Sequence, residues 1–382
     1  MRKIYRFSFD TKVHKEVIEC LDSIPKSMRS LFLADAILFA RKKLLNSIGE
    51  NINGNTGKSV SADIKSQKSQ HTTYAGIDIG SRYTKVVYED NKSFIFRSIA
   101  HQYVYNKKKD NTSIISVNGE DYLVGPDAFL NRPFRREFIG SDLYCAIIGY
   151  CLGQIIKEGK RLSGIAIGLP ISIFKEKIIS KLKQGIKNAQ IELNGNVIPI
   201  PENIVFVPIG SGVYYDFILS NPYYEGKDMI VIDIGYFYVN FLFIKDGKII
   251  HEVSRTEHSD FEFMLNKIEI EILNKHEVSV DFSMIETVLR EKRFVYDGKE
   301  YEFNAEEILA QYYIPEIKSK IQEYVAYLKG KFDLSTIKDI LVAGGVAEHL
   351  RELVKEALII PEPILANARG YKKYSETKDF QG

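Results

Sequence analysis

Two distant segments of this chain share one layout. "YAGIDIGSRYTKVVYED" (74–90) and "MIVIDIGYFYVNFLFIKDGKII" (229–250) each run an apolar stretch into Asp-Ile-Gly, at Asp78 and Asp233, then turn and return as a second strand. A unit repeated this far apart points to two duplicated halves rather than to a short-period array. Between and after the copies, strands alternate with helices. "SGIAIGLP" reads as a short buried strand ending at Pro170, and "ENIVFVPIGSGVYYDFILS" as a strand followed by a helix. Helical patterning covers 260–276 and 305–331. "IKDILVAGGVAEHLRELV" reads as a strand passing through Gly344-Gly345 into a helix. This alternation predicts an α/β protein.

Two Asp-x-Gly hairpins from two halves suit a cleft that binds a polyphosphate. Each glycine turn can present backbone N–H groups to an anion, and each aspartate can hold a hydrated Mg²⁺ from its own side. Ser81 adds a hydroxyl donor, and Lys85, on the returning strand, adds a point charge. Gly344 and Gly345 remove side chains where a flat base and ribose would lie.

The ordered set of motifs resembles the superfamily of actin, sugar kinases and heat-shock-chaperone ATPases. The C-terminal "PEPILANARGYKKY" (361–374) narrows the resemblance to plasmid-segregation actins of the ParM/StbA type and their archaeal relatives. It implies an actin-like fold of two duplicated ribonuclease-H-like halves, at 74–225 and 226–382, that binds ATP or GTP with Mg²⁺ and assembles into filaments. Residue by residue, Asp78, Gly80, Ser81 and Lys85 match the first phosphate loop, Asp233 and Gly235 the second, and Gly344 and Gly345 the adenosine loop. Asp78 and Asp233 become the metal-side and catalytic carboxylates. The sequence departs from the pattern twice. Tyr238, Val239 and Asn240 stand where the family has threonines and an acid. Ile209 follows Pro208 where those relatives carry the Glu or Gln that positions the attacking water. Phosphoryl transfer depends on positioning and electrostatics, so hydrolysis is expected to be slow.

A different module precedes the halves. Residues 1–48 hold ten Lys/Arg against five Asp/Glu, whereas the whole chain carries only +2. "IYRFSFD" alternates, with Tyr5, Phe7 and Phe9 on one face and Ile4, Arg6 and Ser8 on the other. Two amphipathic helices follow, broken at "IPKSMRS" by Pro25. One strand and two helices cannot close a core alone, so the strand needs a second copy as partner. The module resembles the ribbon-helix-helix fold. That resemblance implies a dimer on double-stranded DNA, with Ile4, Arg6 and Ser8 toward base edges and Lys26, Arg29 and Ser30 at a phosphate. Residues 49–73 are polar and rich in Gly, Ser, Asn and Lys, and read as a flexible linker. Its Gly57-Lys58-Ser59 is no P-loop, because Ile52 stands where that motif needs glycine.

The three cysteines make no metal-ligand spacing or disulfide framework, and no apolar run reaches bilayer-spanning length, so a cytoplasmic protein without a membrane partner is expected. Three functions compete. The favoured one is a filament that partitions plasmid or replicon DNA through its own DNA-binding head, on repeated sites. The rivals are a non-hydrolysing, nucleotide-sensing DNA-binding regulator and a sugar-kinase-like phosphotransferase.

Overall fold

A computed structural model of the chain describes residues 73–89, 92–103, 114–125, 136–337, 339–350 and 357–377. The basic module 1–48, with Ile4, Arg6, Ser8, Lys26, Arg29 and Ser30, and nearly all of the 49–73 linker lie outside the described residues.

The first half opens with the antiparallel run β1 (Thr73–Ile79), β2 (Tyr83–Glu89) and β3 (Lys92–Arg97). A small second sheet follows, and then α1 (Asp142–Lys157), β4 (Leu162–Leu169), α2 (Glu176–Asn188), β5 (Asn203–Pro208) and α3 (Ser211–Ser220). The main sheet has the order β5-β4-β1-β2-β3, with β4 and β5 parallel to β1. Covered on both faces, β1 and β4 read as nearly continuous apolar runs rather than alternating ones.

The second half repeats this plan with β6 (Met229–Ile234), β7 (Tyr238–Lys245), β8 (Arg255–His258), α4 (Phe261–His276), α5 (Phe282–Glu291), α6 (Ile314–Lys329), β9 (Asp339–Ala343) and α7 (Ala366–Thr377). Its sheet order is Lys248–Ile249, β7, β6, β9, Leu358–Ile359, with β8 paired to β7. The antiparallel β6/β7 pair and the parallel β6/β9 pair mirror β1/β2 and β1/β4. The α/β duplication expected from the Asp-Ile-Gly repeat is therefore present in topology as well as sequence.

Two helices cross between the halves. α3 leaves the first-half sheet, yet its Val213, Tyr214 and Phe217 pack with Met229, Val231, Leu242 and Leu341 of the second. α7 closes the second half in sequence but lies on β1 and β4, where Tyr371 packs with Ala166 and Val207. The two helices meet backbone to backbone. A Cβ on Gly370 would fall 1.8 Å from the Gly212 carbonyl oxygen, and one on Gly76 would fall 1.9 Å from that of Ala368. The "ANARG" segment is thus the small-residue face of a helix that needs very close approach. Its arginine completes the crossing. Arg369 donates from Nε and Nη2 to the buried Asp216 of α3 at 2.9 and 2.7 Å, and Lys373 adds a third cationic donor at 2.6 Å. A buried carboxylate so fully paired is costly to leave unpartnered.

One expected element differs. After Gly344-Gly345 the described chain makes a 3₁₀ turn, Ala347–Leu350, in place of the start of an α-helix, and 351–356 lie outside the described residues.

Candidate functional site

The cleft between the halves is lined by both aspartate turns. Asp78 is the last residue but one of the buried run of β1 and Asp233 that of β6, so each carboxylate sits where an apolar strand reaches the cleft. The two turns have one geometry. The Gly80 N–H donates to the Tyr83 carbonyl at 3.1 Å, and the Gly235 N–H donates to the Tyr238 carbonyl at 2.9 Å. Strand register then places residue 85 opposite Asp78 and residue 240 opposite Asp233.

The chemistry at these equivalent places differs. Lys85 Nζ donates to Asp78 Oδ2 at 2.9 Å, forming a largely buried ion pair. Gly80 makes room for it, since a Cβ there would sit 2.8 Å from that ammonium. In the second half, Asn240 Nδ2 donates to Asp233 Oδ2 at 3.0 Å, and Thr256 Oγ1 donates to Asn240 Oδ1 at 2.9 Å. Asn240 is the counterpart of Lys85, a hydrogen-bonding stand-in for the cation. Aligning the two halves on their aspartates would have exposed this pairing, because both partners stand seven residues on.

Without a cation of its own, Asp233 is held in an unfavourable field. Burial pushes its carboxyl up to about 6 and the charge of Asp78 adds to that, while Lys85, Asn240 and Asn367 pull it back. A raised acid pKa means the folded chain binds the proton more readily than the unfolded chain. Stability therefore falls as pH rises from about 4 through 6, and the cost is complete above that range. Asp233→Asn is expected to stabilise the ligand-free protein at pH 7.5 by about 2 kcal/mol, with the gain fading toward pH 4. Thermal unfolding of both proteins across that range checks this, and a difference independent of pH would contradict it.

The remaining sequence candidates are placed as follows. Ser81 and Gly235 line the cleft, as does Gly345. Gly344 does not line it. Its φ of +103° and an ideal Cβ position 2.3 Å from the Ile234 carbonyl oxygen show what this glycine does: it lets β9 turn tightly against the end of β6. Ile209 lines the cleft too, with its N–H donating to the Leu169 carbonyl at 2.8 Å, so an apolar side chain stands beside the two aspartates.

Other residues around the two aspartates are legible only in the structure. Asn367 of α7 accepts from the Gly210 N–H at 3.1 Å, at the start of α3, and lies near enough to Asp233 to favour its charged form. Tyr371 lies buried close enough to both aspartates that their charges, after burial itself, push its hydroxyl well above the ordinary tyrosine range. Arg82 and Tyr83 in the first turn, and Tyr236 in the second, line the cleft. Among the described residues, no group of three or more His, Cys, Asp or Glu could by itself hold a metal. The paired carboxylates offer at most two protein ligands, a set suited to an ion that keeps waters or takes ligand oxygens.

Residues 76–208 match the family model for the N-terminal domain of actin-like proteins. Among solved structures, the chain is similar to Ta0583, an archaeal actin homolog, at 18% identity and a TM-score of 0.64, over 80% of this chain and 100% of that one. It is similar to the actin-like protein Alp7A at 15% identity and a TM-score of 0.62, over 80% and 96%. A 15-stranded ParM filament from Clostridium botulinum matches at 18% identity and a TM-score of 0.57, over 80% and 99%. No curated protein matches the sequence.

Proposed function

We propose that this chain, whose fold is that of the actin-like proteins, binds a nucleoside triphosphate with Mg²⁺ in its cleft and assembles into filaments that partition plasmid or replicon DNA. The observation that carries the reading is the pair of matched Asp-x-Gly turns facing one cleft, one aspartate held by Lys85 and the other by Asn240. Two nearby carboxylates, one of them raised by burial and then by its neighbour's charge, make a poor site for bare phosphates and a good one for phosphates that carry a divalent cation. Asp78 and Asp233 would face that cation, Lys85 the phosphates, and the N–H groups of the two turns the remaining oxygens. Bound together, metal and phosphates would offset the repulsion between the two carboxylates.

Relatives supply the assembly half of the reading. One solved form of Ta0583 is a complex with ADP, and ParM from Clostridium botulinum and Alp12 are each described as filaments. The DNA half rests on the basic, alternating pattern of residues 1–48. A DNA-binding head on every subunit would let a filament present many heads to repeated DNA sites and bind by avidity.

The second reading, a nucleotide-sensing DNA-binding regulator without turnover, is favoured by Ile209 and Asn240. Ile209 cannot orient an attacking water as a Glu or Gln would, and the Asn240 carboxamide is already engaged by Asp233 and Thr256. Sedimentation with ATP and Mg²⁺, with and without duplex DNA carrying repeated sites, together with phosphate release, separates the two. Filaments that pellet with ATP and carry the DNA, with slow turnover, support partition. DNA binding without ATP-dependent pelleting supports the regulator. The described part of the chain has no helix long and apolar enough to cross a membrane.

A further inference from the structure

Arg82 follows Ser81 in the first-half turn, and its guanidinium crosses the cleft. Its Nε donates to Glu286 Oε1 of α5 at 2.7 Å, and Tyr83 Oη donates to the other carboxylate oxygen at 2.5 Å. Tyr236, in the second-half turn, donates to Oε1 at 3.3 Å. The guanidinium also lies 5.1 Å from the Tyr236 ring centroid and 4.6 Å from that of Phe282. Three side chains from the two turns thus converge on a single carboxylate of α5. Arg82 and Glu286 are only 17% and 16% exposed, so salt screens the pair weakly.

The second half presents Glu286 rigidly. Asp281 caps α5, accepting from the Met284 N–H at 2.9 Å, and Ile285 and Val288 bury the helix against the core. Arg82, Tyr83 and Tyr236 are also cleft-lining residues, and the Tyr236 ring rests on the bare face of Gly345, within 3.4 Å of where a Cβ would be. The cluster both ties the halves together and fills part of the space between them.

We infer that the Arg82–Glu286 pair, with Tyr83 and Tyr236, is a latch that ties the two halves across the cleft and must release before a nucleotide can enter. The inference rests on the nucleotide reading above for its ligand, but not for its structural part. The pair is charge-assisted, and the ligand's phosphates are themselves anions for a freed guanidinium. Release leaves Arg82 and Lys85 as the two cations among the cleft-lining residues.

The test compares wild type with Glu286→Gln and with the reversed pair Arg82→Glu/Glu286→Arg, all in the full chain. Hydrogen exchange without ligand is read at the turn amides 80–84 and 235–238, with β1 and β6 amides as the control for an intact fold. Stopped-flow mixing with a fluorescent N-methylanthraniloyl ATP gives the association rate. Glu286→Gln is expected to raise both turn exchange and association about tenfold, the scale of one lost charge-assisted hydrogen bond. The reversed pair should bring both back toward wild type. Turn exchange that stays at the wild-type rate, or an unchanged association rate in a protein that binds the probe, overturns the latch. If no protein binds the probe, the nucleotide reading fails on its own and the exchange rates alone decide the latch.

Discussion

Gly370→Ala is expected to be among the most damaging single-methyl additions in the described chain, lowering stability by roughly 3 kcal/mol or more. The added carbon would lie 1.8 Å from the Gly212 carbonyl oxygen, 2.5 Å from its carbon and 2.8 Å from its Cα. All three are backbone atoms of α3, so no side chain can swing aside. α7 would have to move off, taking Arg369 and Lys373 from Asp216 and Asn367 from Gly210. Gly185→Ala is the control. It sits exposed within α2 with nothing inside 4 Å of an added Cβ, and should be neutral or slightly stabilising. Chemical denaturation of both variants checks the contrast. Equal effects would mean that the α3–α7 crossing is not the close backbone contact described.

Asp78→Ala is expected to abolish binding of Mg-nucleotide, a loss of at least roughly a hundredfold in affinity. Asp78 is one of two carboxylates on the cleft floor and is also what anchors Lys85. Its removal leaves an ammonium without its nearest partner and a single acid, Asp233, facing the metal side. Lys85→Ala should weaken binding less, because the cation-holding carboxylates remain. Calorimetric titration with ATP and Mg²⁺ distinguishes the two, and wild-type affinity in Asp78→Ala would remove that residue from the site.

How much was legible in advance depends on the range of each interaction. The placement of Asp78, Gly80 and Lys85 together is legible because a hairpin returns its partner at a short, fixed spacing, and the same rule places Asp233 and Gly235. Asn240 is in plain view too, but the family pattern sets it against threonines and an acid rather than against Lys85. Its role appears once β6/β7 register sets it opposite Asp233. The helix α1 left no amphipathic stripe to read, since eleven of its residues are buried and its faces are all apolar.

Local period and short spacing carry the duplication, the α/β alternation and the two aspartate turns. Packing carries the exchange of α3 and α7 between the halves, the partnership of the "ANARG" arginine with Asp216 and the meeting of Arg82 with Glu286. Those last partners stand 153 and 204 positions apart. No local periodicity encodes such a pairing. It is set by which surfaces the packed sheets leave for a helix to cover, and by the need of each buried charge to meet an opposite one once the core has closed.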